Sequence, residues 1–168
     1  HHVGRMSRTL LLILLLPLFG RAQLPKPKGN TYVNDYTGHL SAEQVQQLNL
    51  RLRHLEDVTT VQVAILMIDN LPDGISLEDY GRMVGNSWKV GLHHNGIVYV
   101  AVLKEHKQRL EIAEELEGDI PDVTASRIID NLRPALRNED YDAALNSLIT
   151  EIDSQLGVDK ENAGSTAP

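Results

Sequence analysis

Residues 61–68, Val61-Gln-Val-Ala-Ile-Leu-Met-Ile68, form a short apolar run rich in branched side chains and without helical periodicity. Asp69 and the turn formers Pro72, Asp73 and Gly74 end it. A run of that length and composition predicts a central strand covered on both faces, because a strand with one wet face would alternate polar and apolar residues.

The flanking segments carry the other period. Ser41-Ala-Glu-Gln44 has the form of a capping box, and Val45, Leu48, Leu52 and Leu55 follow at helical spacing, which predicts a helix from about Ala42 to Glu56. Ser76-Leu-Glu-Asp79 opens a second capped helix with Tyr80, Met83, Val84 and Trp88 on its apolar face, ending near Gly91. Gly96–Leu103 and Arg109–Ala113 read as strands joined by a connection short enough for a hairpin, which makes the sheet mixed. A third helix follows Pro121-Asp122, with Val123, Ile128, Ile129 and Leu132 apolar, and Pro134 is expected to stop or kink it. Asp140 can cap a fourth helix running to about Leu156 with Ala144, Leu145, Leu148, Ile149 and Ile152 inward. Strands alternating with helices predict an α/β fold, a three-layer α/β/α sandwich with a mixed central sheet covered by helices on both faces.

Outside that unit the composition changes. From Met6, MSRTLLLILLLPLFGRAQ has a basic start, an apolar stretch from Leu10 to Phe19, and Gly20 and Ala22 at the −3 and −1 positions of a cleavage site before Gln23. This is the pattern of a secretory signal peptide, too short and too interrupted by Pro17 for a membrane span of roughly 20 residues. The expected organisation is therefore a tag or vector remnant over 1–5, a signal peptide over 6–22, a linker over 23–31, one domain over 32–156 and a disordered polar tail over 157–168. Export places the domain in the periplasm or tethered to the membrane.

The full chain has 16 basic and 23 acidic residues; removing Arg5, Arg8 and Arg21 with the leader leaves 13 against 23, a net charge of −10. Such a balance argues against nucleic acid, whose phosphates require Lys and Arg, and favours cations or basic partners. With no cysteine there is no disulfide, thiolate site or Cys nucleophile. Phe19, the one phenylalanine, lies in the leader, so Leu, Ile, Val and Ala must make the core. The sequence has no GxSxG elbow, Walker loop, HExxH helix or glycine-rich dinucleotide loop, which sets aside the commonest hydrolase, nucleotide and zinc-protease chemistries.

Three weaker signals remain. Glu114-Glu-Leu-Glu-Gly-Asp-Ile-Pro-Asp122 puts several carboxylates at a strand exit, where they could supply oxygens to a hard cation or form a solvated face with Asp122 as a helix N-cap. His93-His-Asn-Gly96 could offer imidazoles, or make a tight turn through Asn95-Gly96. Tyr32-Val-Asn-Asp-Tyr-Thr-Gly38 could be a turn ahead of the first helix or a polar contact through Asn34 and Asp35.

Val33-Asn-Asp35 with Gly38-His-Leu-Ser41, Val61-Gln-Val63, Trp88 with Gly91, Asn95-Gly96, Arg109-Leu-Glu111, Leu116-Glu-Gly118, Pro121-Asp122, Arg127-Ile128 and Asp140-Tyr141 occur in that order. On these pieces the stretch from about Tyr32 to Ile152 resembles the TPM-domain family of exported or membrane-tethered bacterial and thylakoid proteins. The resemblance implies an α/β/α sandwich with an acidic cleft in which Asp35, Asn95, Glu117 and Asp122 converge. It also implies a divalent cation there, calcium favoured and magnesium possible. Family members are associated with cation binding, with weak acid phosphatase activity in the thylakoid branch, and with partnership to membrane proteins. Two departures fall where chemistry would sit: His94 replaces the usual Asp before Asn-Gly, and Ala113-Glu-Glu115 replaces the usual Gly-Tyr-Gly. Cation binding survives these changes better than catalysis, since the cleft offers a phosphate few positive groups. The expectation is a non-catalytic or barely catalytic accessory module for an envelope or membrane protein partner, monomeric, without nucleotide or nucleic acid. The alternatives are a weak metal-dependent phosphomonoesterase, with His94 as a possible proton donor, and a purely structural interaction domain.

Overall fold

The computed structural model describes residues 24–28, 32–91 and 95–158. The tag remnant, the signal peptide with its cleavage point, His94, and the tail from residue 159 lie outside the described residues.

The elements are β1 (Val33–Asp35), α1 (Ala42–Thr59), β2 (Gln62–Ile68), α2 (Leu77–Ser87), β3 (Gly96–Val102), β4 (Lys107–Ile112), a short 3-10 turn (Glu114–Leu116), α3 (Asp122–Arg137) and α4 (Tyr141–Gln155). The sheet order is β1-β2-β3-β4. β1, β2 and β3 are parallel, while β4 returns antiparallel from the β3 hairpin. The sheet is mixed, and Val61–Ile68 supplies one of its two inner strands.

Alternate residues of each strand face opposite layers. Val63, Ile65 and Met67 of β2 with Ile97, Tyr99 and Ala101 of β3 join Leu48, Leu52, Ile128, Leu132, Leu148 and Ile152 in the larger core. Leu66 and Ile68 with Val98, Val100 and Val102 meet Tyr80 and Val84 of α2 on the other face. Three helices thus cover one face and one helix the other. At roughly 2 kcal/mol for each fully buried Leu, Ile or Val, this packing does what disulfides do in domains too small for such a core.

Local chemistry sets the helix starts. Ser41 and Gln44 form the reciprocal capping box of α1, with Gln44 N–H donating to Ser41 Oγ (3.1 Å) and Ser41 N–H to Gln44 Oε1 (2.9 Å). Ser76 Oγ accepts from Asp79 N–H (3.1 Å), and Asp140 Oδ1 accepts from Ala143 N–H (3.1 Å). α3 differs from expectation at both ends. Its N-cap is Pro121, so Asp122 is the first helical residue, where its charge still meets the positive end of the helix. The helix also runs through Pro134 to Arg137, since the exposed ring lies near its end and packing of Leu132 holds the backbone.

Two apolar assignments are corrected by exposure: Met83 is 37% exposed and Val123 77%, each lying on its helix's solvent side. β1 is a strand where the sequence suggests a turn or a polar contact, its three residues being too few to show a period. Its outer edge is shielded, because Asn49 Oδ1 accepts the N–H groups of Tyr32 and Val33 (both 3.0 Å). Order continues two residues past Leu156: Gly157 turns the chain at φ +73°, and Val158 is buried in the larger core.

Candidate functional site

Of the four residues expected to converge, Asp35 and Asn95 are held at opposite ends of the sheet. Asp35 ends β1 and is 8% exposed. Its Oδ1 accepts Thr37 N–H (2.8 Å) and Thr37 Oγ1–H (2.6 Å), and its Oδ2 accepts Leu40 N–H (2.9 Å). Burial alone would raise this carboxyl, but the hydrogen bonds from the Thr37 hydroxyl and the Leu40, Thr37 and Gly38 amides outweigh it and hold Asp35 below the usual carboxylate range. The side chain therefore builds the turn that leads into α1.

Asn95 precedes β3, at the other end of the parallel strands. Its Nδ2 donates to the Thr60 carbonyl (2.6 Å) and to Thr60 Oγ1 (3.2 Å), tying β3 to the left-handed residue that closes α1. In the sheet register Gln62 pairs with Gly96 and Met67 with Asp35. Five residues of β2, roughly 16 Å of strand, thus separate the levels of Asn95 and Asp35.

Glu117 is exposed just after the 3-10 turn, beyond the end of β4. Ala113 N–H donates to the Gly96 carbonyl (3.0 Å), which puts this turn on the same edge of the sheet as Asn95. Asp122 is exposed and lines a hollow of about 410 Å³ with Arg109, Ser126 and Arg133 along β4, across the sheet from β1. Asn95 and Glu117 share an edge, and Asp35 stands apart from them at the opposite end of the parallel strands. Among the described residues no group of three or more His, Asp and Glu side chains is placed to hold a metal ion. Arg109, a possible phosphate contact, is engaged by Glu111 (2.8 Å) and Glu78 (3.9 Å).

A different cleft lies at the carboxyl end of β3, the place where open α/β sheets usually receive ligands. It measures about 450 Å³. Ala101, Leu103 and Leu136 give it apolar walls, and His106, Arg133, Arg137 and Glu139 give it a charged rim. Gln108 fixes one wall by accepting from Tyr99 Oη–H (2.8 Å) and donating to the Ile129 carbonyl (2.9 Å). The hairpin turn that delivers His106 uses a left-handed residue, His106 itself at φ +52°. Tyr141 closes the far side, its ring 4.8 Å from that of His39 in the β1–α1 connection. Burial, then Glu139 and Asp69, raise the Tyr141 phenol, so it stays protonated and can donate.

Sequence reasoning missed this cleft because its members come from β3, β4, α3 and α4, with no spacing to link them. The available signal was positional: Asp69 follows β2, and Lys104–His106 follow β3, at the strand ends where ligands bind.

The TPM domain model matches residues 33–155. Among solved structures, the chain is similar to the N-terminal domain of a P. gingivalis protein, with 30% identity, a TM-score of 0.66, and 76% of this chain and 85% of that one covered. It is also similar to the N-terminal domain of a Corynebacterium glutamicum protein, at 14% identity, TM-score 0.62, with 89% and 93% covered. A protein of the psychrophilic bacterium Bizionia argentinensis matches at 14% identity, TM-score 0.61, with 77% and 91% covered. The last two likenesses concern the fold alone. Comparison with curated proteins finds no match. With the family model matching most of its length, this chain belongs to the TPM domain family.

Proposed function

We propose that the chain is an exported, non-catalytic or barely catalytic accessory domain that binds an envelope or membrane protein partner through the cleft at the carboxyl end of β3. One observation carries the reading: a cavity of about 450 Å³ whose walls are apolar and whose rim is charged. That is the anatomy of a surface that takes a partner's side chain, with burial at the centre and polar groups around it. The signal-peptide pattern over 6–22 supports the exported setting. The hydrogen bonds that Asp35 accepts on both carboxylate oxygens support a structural task for that side chain.

A divalent cation, calcium favoured by the hard oxygen donors, would meet Asp69 and Glu139, whose charges both act on the Tyr141 phenol, with water completing its shell and the Lys104 ammonium, 3.9 Å from Asp69, weakening the hold. Binding of that kind is weak, with dissociation constants on the order of 1 mM. A photo-crosslinking residue placed at Arg137 in the full chain, in its own cells, tests the partner reading. A discrete adduct formed from Arg137 and not from exposed Val58 is the expected result. Saturable, metal-dependent hydrolysis of a generic phosphomonoester, abolished by Asp122→Ala in a folded protein, would replace this reading with the enzymatic one.

A further inference from the structure

Residues Leu24–Lys28, whose composition is that of a free linker, are laid against the α2 face of the domain. Leu24 packs on the cluster that contains Leu66, Tyr80 and Val84. The Trp88 indole N–H donates to the Pro25 carbonyl (3.0 Å), and the Tyr36 hydroxyl donates to the Lys26 carbonyl. The Lys28 amide donates to Asn34 Oδ1 (2.8 Å). The Lys28 ammonium donates to the Asp35 carbonyl (2.7 Å) and lies 4.7 Å from the centre of the Tyr36 ring. Leu24 and Pro25 are half-buried, whereas Lys26, Pro27 and Lys28 are exposed.

Two aromatic donors therefore address the carbonyls of consecutive residues in a proline-containing segment. Proline has no N–H of its own and prefers an extended backbone, so its segment presents carbonyls that a Trp or Tyr can read at low entropic cost. An apolar anchor at one end and a lysine over an aromatic ring at the other fix the register. The acidic domain adds attraction for the two lysines.

We propose that the surface formed by Trp88, Tyr36 and Asn34 is a docking site for an extended, proline-containing basic peptide of the Leu-Pro-Lys-Pro-Lys kind. The chain's own Leu24–Lys28 fills it in cis, and a partner segment of the same chemistry binds by displacing that strap. This supplies a partner chemistry at a surface separate from the β3 cleft, so its failure leaves the reading of that cleft intact, and the reverse.

Trp88 is the one tryptophan of the chain, so its indole N–H resonance reports this surface directly. The experiment uses the full chain, its Leu24→Asp variant and a synthetic peptide of residues 23–29. The strap competes at the high effective concentration of an attached segment, so the unmodified chain should bind the peptide about tenfold more weakly than the variant. In Leu24→Asp the indole resonance should move, and the peptide should return it saturably. A peptide with alanine for both prolines should bind at least tenfold more weakly. Leu24→Ala gives the same comparison should the aspartate disturb folding, which amide dispersion of the core reports. An indole resonance unmoved by either substitution, or variants that bind neither peptide or both equally, would overturn the proposal.

Discussion

Asp35 shows how a buried acid can serve the backbone in place of a ligand. Its two oxygens receive three hydrogen bonds from the turn that follows. In Asp35→Asn one oxygen becomes an amide that confronts a backbone N–H, so stability should fall by about 2 kcal/mol at pH 7. The folded carboxyl lies below its ordinary value of about 3.9, so the contribution is present above that pH and is lost as pH falls through the lower folded value. Urea unfolding at pH 7 and pH 3 should show the gap between the two proteins narrowing on acidification. Gly91 and Gly96 carry a second residue-scale argument. A Cβ on Gly96 would sit 2.6 Å from the Val90 carbonyl oxygen, and one on Gly91, at φ +65°, would sit 2.1 Å from Gly96 N. Alanine at either site should cost about 3 kcal/mol, whereas Gly118→Ala, with nothing within 4 Å, should change stability by less than about 0.5 kcal/mol in thermal denaturation. The sequence marked Asn95-Gly96 as a turn; that two glycines meet backbone to backbone belongs to the fold, and no local pattern encodes it.

The elements legible in the sequence are the apolar strands β2, β3 and β4 and the helices with caps and several turns of periodicity. The box at Ser41 and Gln44 and the leucines behind it place the start of α1 at Ala42 in sequence and structure alike. Ser41→Ala should therefore cost about 1 kcal/mol, read from the midpoint of denaturant unfolding. β1 escaped, and α3 runs further than its proline suggests. β1 has three residues and depends on β2 and Asn49 for its definition. α3 continues past Pro134 because tertiary contacts outweigh the lost hydrogen bond, although that position still carries the intrinsic penalty of an internal proline. Pro134→Ala restores the donor on an exposed face, and the melting temperature should rise by the equivalent of about 1 kcal/mol or more.

For the whole molecule, alternation of strands and helices determined the layers, since a sheet with two apolar faces must be covered on both. What remained hidden was which ends of the layers meet. The family resemblance gathers Asp35, Asn95, Glu117 and Asp122 into one cleft, yet the register of β1 and β3 on β2 sends Asp35 and Asn95 to opposite ends of the sheet. The cleft at the end of β3, built from four elements, is visible only once the chain is folded. We therefore propose a partner-binding domain with a weak cation association at that end and no common four-residue metal site. Amide-NMR titration of the chelator-treated full chain with calcium tests it most directly. Small shifts near Asp69, Glu139 and Tyr141, saturating only around 1 mM or above with Asn95 and Glu117 unmoved, are the predicted result; tight, saturable shifts at Asp35, Asn95, Glu117 and Asp122 together would contradict it.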